Sequence, residues 1–145
     1  MNHVTDPAPG EIGDCYRMAF TLGEHSVRHL RRVLRMLLAS WGMTGVAEAA
    51  ELALTELATN VVRHVPGRWA GTIILRGQGV LRVEVSDRDE RPALPARPYD
   101  GLSEGGRGLL LVEAVTDRWG VTRLPDGKTV WFECDDKAET GPPTM

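Results

Sequence analysis

The stretch AGTIILRGQGVLRVEVSD, residues 70–87, contains two runs of alternating apolar residues on either side of a short turn. The alternation predicts two strands, AGTIILRG (70–77) and GVLRVEVSD (79–87), because successive side chains of a strand point to opposite faces of a sheet. The tight turn near Gln78 and Gly79 leaves no room for a crossover helix. The two strands are therefore expected to form an antiparallel hairpin.

Helical and strand patterns surround this hairpin on both sides. The predicted elements are a strand at 15–22, helices at 24–41, about 46–65 and 108–120, and strands at 119–124 and 128–134. Because consecutive strands are linked by hairpins, this order favours an α/β two-layer sandwich, with a mixed, mostly antiparallel sheet and helices on one face. A doubly wound parallel sheet fits poorly, since it needs a helix between each pair of strands.

The composition is typical of a single soluble domain. The chain has 145 residues, of which 42% are hydrophobic and 26% are charged, and its net charge is −3. A nucleic-acid-binding protein usually carries a basic excess, so direct binding to nucleic acid is not expected. Cys15 and Cys134 lie far apart and form no CxxC pair, so neither a disulfide framework nor a zinc cluster is indicated.

The ends of the chain differ from its middle. Residues 1–13 are rich in proline, glycine and acidic residues, and 135–145 are mostly polar, so both are expected to be flexible tails around a domain of residues 14–134. The start has neither the basic nor the apolar segment of a signal peptide. No apolar run approaches the roughly 20 residues that span a bilayer. A cytoplasmic protein without membrane contact is therefore expected.

A row of polar side chains interrupts the second predicted helix. Glu56, Asn60 and Arg63 fall within roughly 60° of arc, and His64 flanks them, while most other positions are apolar. The row can be a solvated helix face. Alternatively, a carboxylate and an amide one turn apart offer oxygen ligands to a hard cation such as Mg²⁺. The carboxylate could also orient a water or accept a proton.

Two further stretches have a chemical and a structural interpretation. Asp87 stands where an alternating strand ends and a long proline-rich loop begins, so it could accept a hydrogen bond from an exocyclic amine or simply form a turn. A loop of that length, 88–106, is usually functional or disordered. The stretch EGGRGLLLVEAV (104–115) places glycines and Arg107 before a helix, which suits either a phosphate or a flexible hinge.

The tripeptide Gly127-Lys128-Thr129 resembles the end of a P-loop. That motif needs a glycine five positions before Gly127, where this chain has Thr122. The tripeptide also enters a strand instead of a helix. A P-loop is therefore rejected.

Three stretches in this order are more specific than any one alone: ELALTELATNVVRHV (51–65), VEVSDRDERPALP (83–95) and GGRGLLLVEAVTDRWGV (105–121). They resemble the N, G1 and G2 boxes of the GHKL (histidine kinase-like) ATPase superfamily, which includes DNA gyrase B, histidine kinases and MutL. Over about residues 15–134 the chain is similar to the anti-sigma-factor serine/threonine kinase branch (RsbW/SpoIIAB-like), and especially to its actinobacterial single-domain members. The resemblance implies the Bergerat ATP-binding fold.

The resemblance also implies roles for the polar row on the second helix. Asn60 would be the ligand of a Mg²⁺ ion that bridges the ATP phosphates, and Glu56 would be the general base. Arg63 and His64 lie where the family often carries a basic residue near the phosphates. The row would then face the nucleotide.

Further residues follow from the other boxes. Asp87 would bind the adenine amino group, and Gly106, Arg107 and Gly108 would form a lid that faces the phosphates. Thr129 would support the adenine pocket from its strand. With Mg²⁺ and ATP as cofactors, these residues would form one site.

The family's activity sets the functional expectation. The chain would be an ATP-binding anti-sigma factor that phosphorylates a serine or threonine of a STAS-type anti-anti-sigma partner and binds a sigma factor when free. Members of this branch commonly form homodimers, so a homodimer is also expected. The G1 box departs from the fuller Asp-x-Gly-x-Gly pattern, because Asp89 and Arg91 replace its glycines. This departure leaves a second expectation, a partner-switching module that binds ATP without transfer. A histidine kinase catalytic domain ranks lower, since no dimerisation helix pair with a phospho-acceptor histidine is present in the sequence.

Overall fold

A computed structural model describes residues 14–89 and 104–137, with the backbone alone for 104–108. The helices are α1 (Glu24–Ser40), α2 (Ala47–His64) and α3 (Glu104–Val115). The strands are β1 (Cys15–Thr21), β2 (Trp69–Arg76), β3 (Val80–Asp87), β4 (Arg118–Leu124) and β5 (Gly127–Asp135). Short 3₁₀ turns at Thr44–Val46 and Pro66–Arg68 precede and follow α2. The expected tail at 1–13, and residues 138–145 of the tail expected at 135–145, lie outside the described residues. The first residue of the latter, Asp135, belongs to β5.

The five strands form one sheet in the order β1-β2-β3-β5-β4. Every neighbouring pair is antiparallel, so the sheet is not mixed. The hairpin of β2 and β3 turns at Gly79, whose φ of 68° is a conformation that glycine adopts without steric cost. The predicted α/β two-layer sandwich, with its helices on one face, is confirmed.

The core lies between the sheet and the helices. Alternate residues of the central strands point to this layer, and the fully buried ones include Ile74, Leu81, Val83 and Phe132. Helix α2 occupies the middle, with α1 packed on one side and α3 on the other. The carboxyl-terminal half of α2 lies over the sheet, close to the end of β3 and the start of β5.

A network of charged side chains covers part of the opposite sheet face. Arg82 binds Glu84 (2.8 Å) and Glu133 (3.0 Å), and Arg118 binds Glu133 (2.7 Å) and Asp135. Burial alone would raise the pKa of Glu133, but the hydrogen bonds from Arg118 and Arg82 outweigh it and hold that pKa below its usual value. The network ties β3, β5 and β4 together across the face that carries no helix.

Helix α3 differs from the sequence prediction at both ends. It begins at Glu104, four residues earlier than predicted, and ends at Val115, five residues earlier. At its end the Thr116 hydroxyl donates to the Val112 carbonyl at 2.7 Å, and the Asp117 amide donates to the strand residue Glu133. The chain thus leaves the helix to enter β4. Most of the predicted 88–106 loop, at 90–103, lies outside the described residues.

Candidate functional site

A cavity of about 220 Å³ lies between the carboxyl-terminal half of α2, the end of β3, the start of β5, and α3. Its apolar walls are formed by Leu57, Val61, Val65, Val85, Leu109 and Val130. Its polar groups are those of Asn60, His64, Asp87, Asp89 and Lys128. Apolar walls with a few convergent polar groups are the usual composition of a small-molecule site.

Asp87 occupies the last position of β3. Leu81, Val83 and Val85 precede it on the helix-facing side, and because side chains alternate along a strand, Asp87 points to the same side. It is only 5% exposed. A buried carboxylate needs hydrogen-bonding partners, since its desolvation is costly.

Two donors bind the Asp87 carboxylate. The Lys128 ammonium donates to Oδ2 at 2.8 Å, and the backbone amide of Asp89 donates to Oδ1 at 2.9 Å. Lys128 is the direct cross-strand partner of Asp87 in the β3–β5 register. Its Nζ also lies 3.7 Å from Asp89 Oδ2. The polar end of the cavity therefore combines a fixed acceptor with an adjacent cationic donor.

Helix α2 brings part of its polar row to the cavity. Asn60 and His64 are four residues apart, so they lie one turn apart on the same helix face, and both line the cavity. Asn60 is half-buried and His64 is exposed. Glu56 is half-buried one turn before Asn60, and Arg63 is exposed; neither forms part of the cavity wall. The row is thus neither a wholly solvated face nor wholly inside the site.

Thr129 does not join these residues, contrary to the sequence-based expectation. Lys128 and Val130 face the helices, and because the strand alternates, Thr129 points to the opposite face of the sheet. There it is buried and its hydroxyl shares a 2.7 Å hydrogen bond with that of Ser86. Thr129 therefore cannot support the cavity with its side chain.

The glycine-rich stretch is helical instead of forming a loop. Gly106, Arg107 and Gly108 lie in the first turns of α3, where the structure describes the backbone alone. The next residue, Leu109, lines the cavity. The stretch therefore leads directly to the site, and a role for it at the phosphates stays a prediction.

Sequence reasoning missed Lys128 as a site residue. Its signal was present in β5, where Val130, Phe132 and Cys134 mark the buried phase and place Lys128 on the same side. Asp89 was noted only as a replaced glycine, yet its amide holds Asp87 and its side chain lines the cavity. Lys128 belongs to the site because of the β3–β5 register, and Asp89 because it follows the end of β3 by two residues.

The described side chains offer few direct ligands for a metal ion. No group of three histidine, cysteine, aspartate or glutamate side chains that could bind a metal occurs within 14–89 and 109–137. A divalent cation there would use the Asn60 amide oxygen, with the rest of its ligands from water or a bound anion.

None of the described helices is long and apolar enough to cross a membrane.

Comparison with known proteins agrees with this geometry. The family model described as the histidine kinase-like ATPase domain matches residues 20–134. The uncharacterized protein SCO4941 of Streptomyces coelicolor is 38% identical over 84 residues, which span 55% of this chain and 79% of that protein. The resemblance to the GHKL superfamily is confirmed.

Two solved structures share the fold. The RsbU and RsbW domains of Rv1364c from Mycobacterium tuberculosis match with a TM-score of 0.60 and 22% identity, over 83% of this chain and 32% of that one. The chain thus spans about a third of that relative. SiaB in the SiaB–SiaC complex from Pseudomonas aeruginosa matches with a TM-score of 0.59 and 13% identity, over 82% and 87%. On the strength of the family match, the chain belongs to the histidine kinase-like ATPase domain family.

Proposed function

We propose that the protein binds Mg·ATP in the cavity between α2, α3, the end of β3 and the start of β5. It would then transfer the γ-phosphate to a serine or threonine of a STAS-type partner. The observation that carries the proposal is the convergence of Asn60 from α2 and Asp87 from β3 on one cavity. These two residues are 27 positions apart in the chain. Because the chain belongs to an ATPase family, the ligand proposed for this cavity is a nucleotide.

The adenine ring would occupy the apolar part of the cavity. Leu57 and Val61 of α2 and Val85 and Val130 of the sheet form opposing walls, which suit a flat ring. Asp87 accepts at the buried end, so an exocyclic amine of the base would find its partner there. The base would be the buried part of the ligand, and the phosphates would point towards Asn60 and His64.

The phosphate end combines one amide and nearby cationic groups. The Asn60 side-chain oxygen fits a Mg²⁺ ion that takes its other ligands from phosphate and water. Bound Mg²⁺ neutralises phosphate charge, which is a main source of catalysis in phosphoryl transfer. Arg63 and His64 follow at the end of α2, so a guanidinium and an imidazole would be available to the phosphates. The role predicted for Arg107 is at the same phosphates.

Glu56 would act as the base. Glu56 lies one helical turn before Asn60 on α2. If Asn60 holds the Mg²⁺ of Mg·ATP, the Glu56 carboxylate would be near a hydroxyl that approaches the γ-phosphate. The carboxylate takes the hydroxyl proton as the serine or threonine oxygen bonds to the γ-phosphorus. The bond from that phosphorus to the bridging oxygen breaks, and ADP leaves.

The partner is proposed from the branch of the family. One relative with this fold is an RsbW domain, and another was crystallised as the SiaB–SiaC complex, so this fold occurs in assemblies with a second protein. We assign this chain a STAS-type partner and a sigma factor in alternative complexes, in the cytoplasm. A homodimer is part of the same proposal.

A second candidate function is an ATP-binding module without transfer. The specific observation is Asp89, which stands at a glycine position of the G1 box and lines the cavity with a carboxylate. A glycine at this position lets the backbone approach the nucleotide closely, and a side chain there hinders that approach. Such a protein would bind the nucleotide to control its partner and leave the partner unmodified.

Transfer of radiolabelled phosphate separates the two functions. Wild-type protein, Glu56→Gln and Glu48→Gln would be incubated with γ-labelled ATP, Mg²⁺ and the purified STAS partner. Glu48→Gln removes the same charge from the first turn of the same helix and is the control. The kinase predicts label on the partner with wild type and Glu48→Gln, and about a hundredfold less with Glu56→Gln. ATP binding without label in any sample would identify the module.

A further inference from the structure

Lys128 is placed at the base-binding end of the cavity by the register of the sheet. It is the direct partner of Asp87 across β3 and β5, and both side chains point to the helix layer. Thr129, the neighbouring residue, points to the other face. The group that stands beside Asp87 in the cavity is therefore a primary ammonium with three hydrogen-bond donors.

The hydrogen bonds at Asp87 leave acceptor sites for a further donor. Oδ1 accepts from the Asp89 amide, and Oδ2 accepts from Lys128. A carboxylate oxygen has about two acceptor sites, so Oδ2 can hold Lys128 and a second donor together. Lys128 is the more exposed partner, with 26% of its side chain exposed against 4% for Asp87. Its remaining donors can therefore serve a ligand that enters the cavity.

We propose that Asp87 and Lys128 together recognise the Watson–Crick edge of adenine, with Lys128 donating directly to ring nitrogen N1. Adenine carries a donor, the N6 amine, next to an acceptor, N1. The protein offers an acceptor, Asp87 Oδ2, next to a donor, Lys128 Nζ, 2.8 Å away. The two patterns are complementary. This inference rests on the proposed ATP site and names a further residue that would contact the base.

The test measures nucleotide binding to the full chain by calorimetry. The ligands are ATP, 1-deaza-ATP, which lacks N1, and 7-deaza-ATP, which lacks a ring nitrogen outside the Watson–Crick edge. Wild-type protein is expected to bind ATP and 7-deaza-ATP within about threefold of each other, and 1-deaza-ATP about tenfold more weakly, as the loss of a charged hydrogen bond predicts. In Lys128→Met the three nucleotides are expected to bind alike.

Lys128→Gln covers the case in which Lys128→Met does not fold. It retains a neutral donor, so the penalty for 1-deaza-ATP is expected to shrink to about threefold. Equal penalties for 1-deaza-ATP in wild type and in the folded variant would overturn the role of Lys128. Tighter ATP binding by either variant would also overturn it, because Lys128 would then be a competitor of the base.

Failure of the proposed function has a different signature. If none of the three ATP ligands bound at millimolar concentration, the nucleotide site itself would be rejected, and this inference with it. If all three bound equally well to wild-type protein, the site would stand and only the contact from Lys128 to N1 would be rejected.

Discussion

Gly127 lies against the backbone of Asp87 so closely that no side chain can stand between them. A Cβ atom on Gly127 would overlap the carbonyl oxygen of Asp87 and lie 2.9 Å from its carbonyl carbon. It would also lie 3.1 Å from the Cα atom of Arg88. These are backbone atoms, so rotation of a side chain cannot relieve the overlap. Gly127 thus lets the start of β5 approach the end of β3, where Asp87 meets Lys128.

Gly127→Ala is therefore expected to separate β5 from β3 at the site. We expect the free energy of unfolding to fall by roughly 1–3 kcal/mol, as for other overpacked positions, and ATP affinity to fall with it. Urea unfolding measures the first effect. Gly23→Ala is the control, because Gly23 has an extended backbone and nothing within 4 Å of an added Cβ. Equal unfolding midpoints for the two variants would contradict the close approach.

Thr129→Val tests which face of β5 belongs to the site. The side chain of Thr129 bonds Ser86 on the face that carries no helix, so the variant is expected to bind ATP within about twofold of wild type. Stability is expected to fall by about 1 kcal/mol, since the hydroxyl pair is lost. Calorimetric titration with ATP and urea unfolding measure the two effects. A large loss of ATP affinity at full stability would show that the register of β5 is wrong.

The two cysteines are expected to differ in reactivity. Burial, with added repulsion from Asp117 and Asp135, raises the pKa of the Cys134 thiol to about 12, so the thiolate that reacts is almost absent at pH 8. Cys15 is only half-buried. Brief treatment of native protein with iodoacetamide, followed by mass spectrometry of peptides, is expected to show label on Cys15 alone. Equal labelling of both would mean that Cys134 is accessible.

The same raised pKa gives a dependence of stability on alkaline pH. The folded state keeps the Cys134 proton to a higher pH than the unfolded state, whose thiol has a pKa of about 8.5. Its contribution to stability is therefore complete below that value and is lost as pH rises towards the folded pKa of about 12. Cys134→Ser removes the thiol that titrates, so the loss of stability with rising pH is expected to become smaller. Cys15→Ser is the control. Urea midpoints from pH 7 to 10 measure it.

Acid is expected to destabilise the sheet through Glu133 and Asp135. The hydrogen bonds from Arg118 hold the pKa of Asp135 below its usual value, and those from Arg118 and Arg82 overcome the effect of burial on the pKa of Glu133. A carboxyl whose folded pKa is lowered stabilises the protein above its unfolded pKa, and this contribution is lost as pH falls through the folded pKa. Thermal unfolding from pH 7 down to pH 3 is expected to show this loss below about pH 4.

Arg118→Met checks the origin of that acid sensitivity. It removes the cation that both carboxylates share, so the fall in unfolding temperature between pH 5 and pH 3 should become smaller. Arg28→Met is the matched control, because Arg28 is an exposed arginine on α1. If the two variants lost stability with the same slope, the network on the open sheet face would not be the source.

The sequence predicted the fold well because period and turn length are local properties. Alternation over 70–87 and the short turn at Gly79 were sufficient to predict the central hairpin, and the register then follows from which face is buried. The start of α3 was harder to predict. Glycines at 105, 106 and 108 disfavour a helix interior, yet the structure includes them in the first turns of α3.

The site was predicted in part. Asn60 and Asp87 were chosen from separate motifs, and the structure brings both to one cavity. Thr129 and Lys128 show what a motif leaves out: the resemblance marked a threonine, but the phase of β5 places its neighbour in the cavity. The ion pair between Lys128 and Asp87 depends on cross-strand register, which no short stretch of sequence contains.

Calorimetric titration of the full chain with Mg·ATP tests the central claim most directly. Wild type, Asp87→Asn and Asp126→Asn would be compared, since Asp126 receives the same substitution at an exposed position. The account predicts binding by wild type and Asp126→Asn, and at least about tenfold weaker binding by Asp87→Asn. The substitution turns one of two acceptor oxygens into a donor, although the Asp89 amide, Lys128 and the base all need an acceptor there. No binding by wild type at millimolar ATP, or equal binding by all three proteins, would contradict it.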